Sequence, residues 1–278
     1  MTAETTQRTS RAKAAIRRFI PSFVLKERSI VQLLGPKAGP MYARLRLFDA
    51  LGIRASNRTV ALQSACSVVF VCHGNIMRSA MAEFLMRQAL CEAGAADRFE
   101  IASAGLHATP GREAHPWAQE ASAELGISLA AHRAKLLSPE MVERADCVFA
   151  MDFQNKAELL TLYPMFRDKI HMLSAYGEAP WQYREISDPY HGDLETTRIC
   201  GRQLRTCVRN LIRSLCPDSL LGSERSATSA PRQKKSDSDF RQPDQASTVG
   251  ADSHSKLVDL IRNAVQRGSG SGNWVSIC

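Results

Sequence analysis

Two periods of apolar and polar positions run along this 278-residue chain. Between residues 66 and 216, short apolar runs rich in Val, Ile and Phe occur at 67–72 (SVVFVC), 99–104 (FEIASA), 146–151 (DCVFAM) and 169–173 (KIHML). Their length and β-branched content predict four strands. Stretches with apolar residues three and four apart, at 79–93, 113–125, 139–144, 153–161 and 194–215, predict helices. Strands alternating with helices in this way predict a doubly wound, four-stranded parallel α/β sheet with helices on both faces. Such a sheet binds its ligands at the carboxyl ends of the strands.

The flanks read differently. Residues 1–65 form a helical N-terminal extension with short amphipathic helices predicted at 10–20, 22–34 and 40–51, stopped by Gly35 and Gly52. Met41, Leu45 and Phe48 fall on one face of the third. From 217 to 278 the chain turns rich in Ser, Asp, Gln and Pro, which predicts a largely disordered tail. Within that tail, 256–267 reads as one short amphipathic helix carrying Leu257, Leu260, Ile261 and Val265. The domain organisation expected is thus 1–65, 66–216 and 217–278.

Charge sharpens this division. The formal net charge is +8, yet residues 1–60 hold +9 and the remainder −1. Basic character therefore belongs to the arm, and the body is not expected to bind nucleic acid. A basic amphipathic arm either packs its apolar stripe on the neighbouring domain or makes a peripheral contact with an anionic membrane. The Pro and Gly breaks favour packing, because they fragment any long membrane-lying helix. No apolar run reaches the ~20 residues of a membrane span, and arginines interrupt the N-terminal apolar residues, so a cytoplasmic location is expected. None of the eight cysteines stands in a C-x-x-C pair, so neither a metal site nor another cofactor is expected. Cys91, Cys147, Cys200, Cys207 and Cys216 read as packing residues.

Chemistry concentrates where the first predicted strand runs into Cys72-His73-Gly74-Asn75-Ile76-Met77-Arg78-Ser79 and then a helix. A Cys followed six residues later by Arg is weak as a bare pattern, since Cys207 and Arg213 repeat it mid-helix with no glycine between. At a strand-to-helix turn it means more. Successive backbone N–H groups there point into one concavity, Gly74 is expected to permit the tight path, and the helix adds its positive end. Arg78 can meet two phosphate oxygens with its planar fork. A cysteine at the base of such an electropositive loop is a thiolate nucleophile aimed at bound phosphorus. A proton for the leaving oxygen is expected from Asp188 in the Asp188-Pro189-Tyr190 loop, with Tyr190 as a wall of the cleft.

These residues resemble the low-molecular-weight protein tyrosine phosphatases, whose signature is V-C-x-G-N-x-C-R-S followed by D-P-Y. Here VCHGNIMRS and DPY lie 116 residues apart, and Ser103-Ala104-Gly105, His132-Arg133 and Met151-Asp152 also fit. The resemblance implies that Cys72 is the nucleophile, Arg78 the phosphate ligand and Asp188 the general acid. It further implies that Asn75 holds the loop in a strained conformation with Ser103 and His132 as supports, that Ser79 stabilises the thiolate, and that His73, Gly74, Ile76 and Met77 complete the phosphate loop. The implied substrate is a phosphotyrosine protein, and among such relatives the partner is often a tyrosine kinase of polysaccharide export. Departures are Met77 where relatives often carry a second cysteine, Ala80 where they carry proline, and His191 after Tyr190 where some carry a second tyrosine. Relatives that act on phosphoarginine have a small Thr where this chain has Ile76, which favours a flat aryl phosphoester here. The alternatives are a non-catalytic phosphotyrosine-binding module and an arsenate reductase of the same fold, which requires two further relay cysteines.

Overall fold

A computed structural model describes residues 22–53, 67–179 and 182–215. The segments expected at 10–20 and 256–267, the tail from 217, and Cys66 and Cys216 lie outside the described residues. The arm contributes α1 (Ser22–Leu33) and α2 (Gly35–Ala50). The body runs β1 (Ser67–Cys72), α3 (Arg78–Glu92), β2 (Glu100–Gly105), α4 (Pro116–Glu124), α5 (Pro139–Arg144), β3 (Cys147–Ala150), α6 (Phe153–Leu162), β4 (Ile170–Met172) and α7 (Leu194–Leu215).

The four strands form one parallel sheet in the order β2-β1-β3-β4. β1 is central because both of its faces are apolar. Val68, Phe70 and Cys72 are buried in the cluster on one face, and Val69 and Val71 in the cluster on the other. A strand covered on both sides in this way belongs inside a parallel sheet. The register pairs Cys72 with Gly105 on β2 and Val71 with Ala150 on β3, so three strands end together at one edge. From β1 the chain goes outward to β2 and returns to β3 on the other side of β1. This is the topological switch point at which ligands of doubly wound sheets bind.

On the first face lie α3, α4 and α7. Along α7 the buried positions Cys200, Leu204, Cys207, Leu211 and Leu215 recur every three or four residues, which is what seats this helix. The expected decoy pair, Cys207 and Arg213, lies on this helix. Cys91, expected as a packing residue, is instead exposed near the end of α3, whereas Cys147, Cys200 and Cys207 are buried.

On the second face α5 and α6 pack together with the arm. Tyr42 and Leu45 of α2 are buried in one cluster with Val69, Val71, Phe153 and Ala157, and Met41 packs against it. The apolar stripe of α2 is thus occupied by the body of the protein, and Phe48 lies beneath the Arg44 guanidinium at 5.6 Å. α2 also starts a turn earlier than expected, at Gly35. Gly35 adopts a left-handed φ of 71° that breaks the chain after α1, and Pro36 then enters the first turn of the new helix. Among the described residues no helix is long and apolar enough to cross a membrane.

Candidate active site

β1 ends at Cys72 and α3 begins at Arg78, so residues 73–77 must reverse the chain at the switch point. Gly74 is expected to permit the tight path, yet the unusual backbone is not at this residue. Its φ is not left-handed, and a Cβ there would meet Ile76 Cγ1 at an ordinary 3.7 Å. The left-handed residue is Asn75, with φ 52°. The glycine required by close approach is Gly105, where a Cβ would stand 2.7 Å from His73 O and 2.9 Å from Asn75 N. β2 therefore ends against the loop with no side chain between them.

Asn75 is fully buried and uses its whole amide. Its Nδ2 donates to Ser79 Oγ at 2.8 Å and to Ser103 Oγ at 2.8 Å, and its Oδ1 accepts from the Lys135 N–H at 2.8 Å. His132 Nε2 lies 2.7 Å from the Asn75 carbonyl oxygen. Ser103 Oγ passes the chain on to Glu83 Oε2 at 2.6 Å. With Asn75 donating to Ser79 Oγ, the Ser79 hydroxyl can give its own proton to Cys72 Sγ, 3.0 Å away. The Asn75 N–H also points at Cys72 Sγ, at 3.3 Å. The sulfur thus faces two donors. Met77 at the start of α3 supplies no side-chain cap among the described residues, which leaves the first N–H groups of that helix to an anion.

Arg78 opens α3 and is 2% exposed. Its Nη1 donates to Asp152 Oδ2 at 2.5 Å and to the Ile186 carbonyl at 3.0 Å, and its Nη2 donates to Asp188 Oδ2 at 2.7 Å. Burial pushes this guanidinium's pKa down. The charges of Asp152, Cys72 and Asp188 more than offset that and leave it raised, so the cation is fixed. Asp152 is itself held as the N-cap of α6, with Oδ1 accepting from the Asn155 N–H at 2.7 Å.

Asp188 completes the far side of the cleft. Its Oδ1 accepts from the Tyr190 N–H at 3.2 Å, which folds Asp188-Pro189-Tyr190 into a tight turn. Tyr190 stands at the rim, edge-on to His191 at 5.1 Å and to His115 at 5.8 Å. The cleft holds ≈ 270 Å³, with Cys72, Arg78 and Asp188 in its lining and Ile76, Met77, Tyr190 and His191 around them. The opposite wall brings His73 and His107 together at 4.6 Å, and His107 Nε2 meets Glu158 at 2.6 Å. Among the described residues no three His, Cys, Asp or Glu side chains converge as a metal site would require.

All thirteen expected site residues gather at this one edge of the sheet. Two partners were not read from the sequence as site residues. Asp152 had a signal, since it follows β3 at the ligand-binding edge and begins an Asp-x-x-Asn helix start. Glu83 had a fainter one, an acid four residues beyond Ser79 on the inner side of α3, where it is 5% exposed.

Comparisons with known proteins agree with this geometry. A sequence model of the family described as "Low molecular weight phosphotyrosine protein phosphatase" matches residues 67–220. A protein-arginine-phosphatase of Bacillus subtilis is 32% identical over 151 residues, covering 54% of this chain and 97% of that protein. The low molecular weight protein-tyrosine-phosphatase Ptp of Acinetobacter johnsonii is 30% identical over 142 residues, covering 51% of this chain and 92% of its own. Among solved structures, a low molecular weight protein tyrosine phosphatase from T. tengcongensis superimposes with a TM-score of 0.50 at 34% identity, covering 54% of this chain and all (100%) of that one.

Proposed function

The chain belongs to the low molecular weight phosphotyrosine protein phosphatase family, and on that premise we propose that it hydrolyses phosphotyrosine in proteins through a phosphocysteine on Cys72. The observation that carries this reading is the convergence of a hydrogen-bonded thiol, a fixed guanidinium and a turn-held carboxyl on one cleft walled by Ile76 and Tyr190.

The chemistry follows from that arrangement. The loop N–H groups and Arg78 take up the charge of the phosphoryl oxygens, so the electrophile is stabilised where negative charge develops. A phosphate bound at Arg78 Nη2 displaces Asp188 Oδ2 and frees that carboxyl to face the leaving phenolic oxygen. The Cys72 thiolate attacks phosphorus in line, the ester P–O bond breaks, and Asp188 gives its proton to the departing oxygen. Asp188, now ionised, then accepts a proton from the water that cleaves the P–S bond, which returns the thiolate and releases phosphate. Ser79 and Asn75 hold the sulfur, and Ser103 and His132 hold Asn75. Asp152 keeps Arg78 aimed.

The Bacillus relative favours a second reading, phosphoarginine. Against it stands Ile76, a branched apolar side chain lining the cleft that suits the face of an aryl ring better than a charged guanidinium. Against the reductase alternative, burial pushes the thiols of Cys147, Cys200 and Cys207 up to about 12, which makes them poor relay nucleophiles. The substrate is a tyrosine-phosphorylated protein, with a tyrosine kinase of polysaccharide export as the specific candidate. Initial rates on matched phosphotyrosine and phosphoarginine peptides test this. Preference for phosphotyrosine is expected, with Ile76→Thr shifting the ratio toward phosphoarginine; a parent enzyme that prefers phosphoarginine, or that turns over neither peptide, contradicts the proposal.

A further inference from the structure

The family match begins at residue 67, and the relatives above are covered almost end to end by about half of this chain, so α1 and α2 have no counterpart in them. Yet this arm reaches the supports of Arg78. Arg46 on α2 binds Glu27 of α1 with Nε at 3.2 Å and Nη2 at 2.7 Å, and the Tyr42 hydroxyl donates to the same carboxylate at 2.7 Å. The remaining Nη1 of Arg46 crosses to the body and donates to Glu185 Oε2 at 3.1 Å.

Glu185 stands between two stretches that grip Arg78. Its Oε1 accepts from the Phe153 N–H at 2.7 Å, one residue beyond Asp152. Its own chain leads directly to the Ile186 carbonyl and, three residues on, to Asp188, both of which hold Arg78. The two stretches are also tied by Ile186 N–H to Met151 O at 2.9 Å. One carboxylate thus joins the start of α6 to the 185–188 segment, and the arm supplies its counter-charge.

We propose that Arg46 is a positioning residue for the active site: through Glu185 it fixes Asp152 and the 185–188 segment, and thereby the aim of Arg78. The inference rests on the reading of Arg78 as the phosphate ligand. Glu185 carries a raised pKa. Burial is the chief cause; the Phe153 N–H and Arg46 act against it, while Asp152 and Glu27 add to it. Removing Arg46 therefore lets Glu185 protonate at higher pH, which weakens its hold on the Phe153 N–H.

The test uses the full chain with Arg46→Gln, Arg46→Lys, Glu185→Gln and the double Gln variant. Glu185→Gln retains an acceptor for Phe153 N–H and loses the charge. Orthovanadate affinity by calorimetry reports Arg78 placement without turnover, and kcat and KM on a phosphotyrosine peptide report it with turnover. Arg46→Gln is expected to weaken vanadate and lower kcat about three- to tenfold, the range typical of coupling carried by packed networks. Arg46→Lys should fall between it and the parent, since an ammonium cannot span both glutamates with a planar fork. The double variant should lose no more than either single. The acid limb of kcat should move to higher pH in Arg46→Gln and stay put when Glu185 is already Gln. Vanadate affinity within twofold of the parent in Arg46→Gln, or losses that multiply in the double variant, would overturn the proposal. A parent that binds vanadate but spares phosphotyrosine would sink the substrate reading, and the vanadate series alone would then decide the role of Arg46.

Discussion

Replacing Asn75 with Ala attacks the loop where backbone and side chain depend on each other. The residue holds φ 52°, a conformation that costs an L-residue with a plain Cβ roughly 1–2 kcal/mol. Its amide makes three hydrogen bonds inside the protein, to Ser79, Ser103 and the Lys135 N–H, each worth about 1 kcal/mol net. Ala forfeits all three, so the expected destabilisation is about 4 kcal/mol. In a domain of this size that corresponds to a melting temperature lower by roughly 10 °C. Asn75→Gly separates the two contributions. It removes the backbone penalty and keeps the hydrogen-bond loss, so it should recover about 1 kcal/mol over Ala. Activity should fall further than stability predicts, because Ser79 then loses the donor that turns its own proton toward Cys72. The assay is urea unfolding of parent, Ala and Gly variants alongside kcat at a temperature where all three are folded. An Ala variant within about 1 kcal/mol of the parent and with near-parent kcat would refute the argument that this amide organises the loop.

Three further outcomes follow from other parts of the molecule. Asp188→Asn should slow esters with poor leaving groups by about a hundredfold or more while sparing activated aryl esters, as measured across a leaving-group series, because the proton matters only when the departing oxygen is basic; equal losses would remove Asp188 from the acid role. A peroxide pulse followed by thiol should restore little activity in the parent and much more in Met77→Cys, since a thiol at position 77 can capture the sulfenic acid; full recovery in the parent would withdraw this. His171 has its pKa lowered to about 4, by burial first and then by Lys156, with Asp168 opposing. The unfolded chain therefore takes up this proton from about pH 6.5 downward while the folded one does not, and stability is lost between there and pH 4. His171→Gln should flatten that acid-side loss by up to about 3 kcal/mol in denaturant titrations, and an unchanged slope would exclude this histidine as its source.

Much of the fold was legible because the two periodicities differ so sharply. The strand SVVFVC is apolar at every second position on both faces and could sit only inside a covered sheet, and α7 repeats its buried positions every three or four residues. The site was legible for a different reason, since a Cys-to-Arg spacing placed at a strand-to-helix turn has few uses. What escaped were interactions between segments far apart in sequence. The resemblance already assigns the strained loop to Asn75, but nothing local to Gly74 reveals that Gly105, on a neighbouring strand, is the glycine the loop presses against. Asp152 and Glu83 look like ordinary helix-start and helix-face acids until the sheet brings them to Arg78 and Ser103. The apolar stripe of the arm predicts packing on the body, but the pairing of Arg46 with Glu185 spans 139 residues and has no sequence signal.

Covalent catalysis at Cys72 is tested most directly by mass spectrometry of enzyme quenched during turnover of a phosphotyrosine peptide. Phosphate should appear on the proteolytic fragment containing Cys72, at higher occupancy the slower the second step is made. In Cys72→Ser peptide turnover should be abolished while orthovanadate is still bound. Phosphate on any other residue, or steady turnover by Cys72→Ser at near-parent rate, would contradict the mechanism.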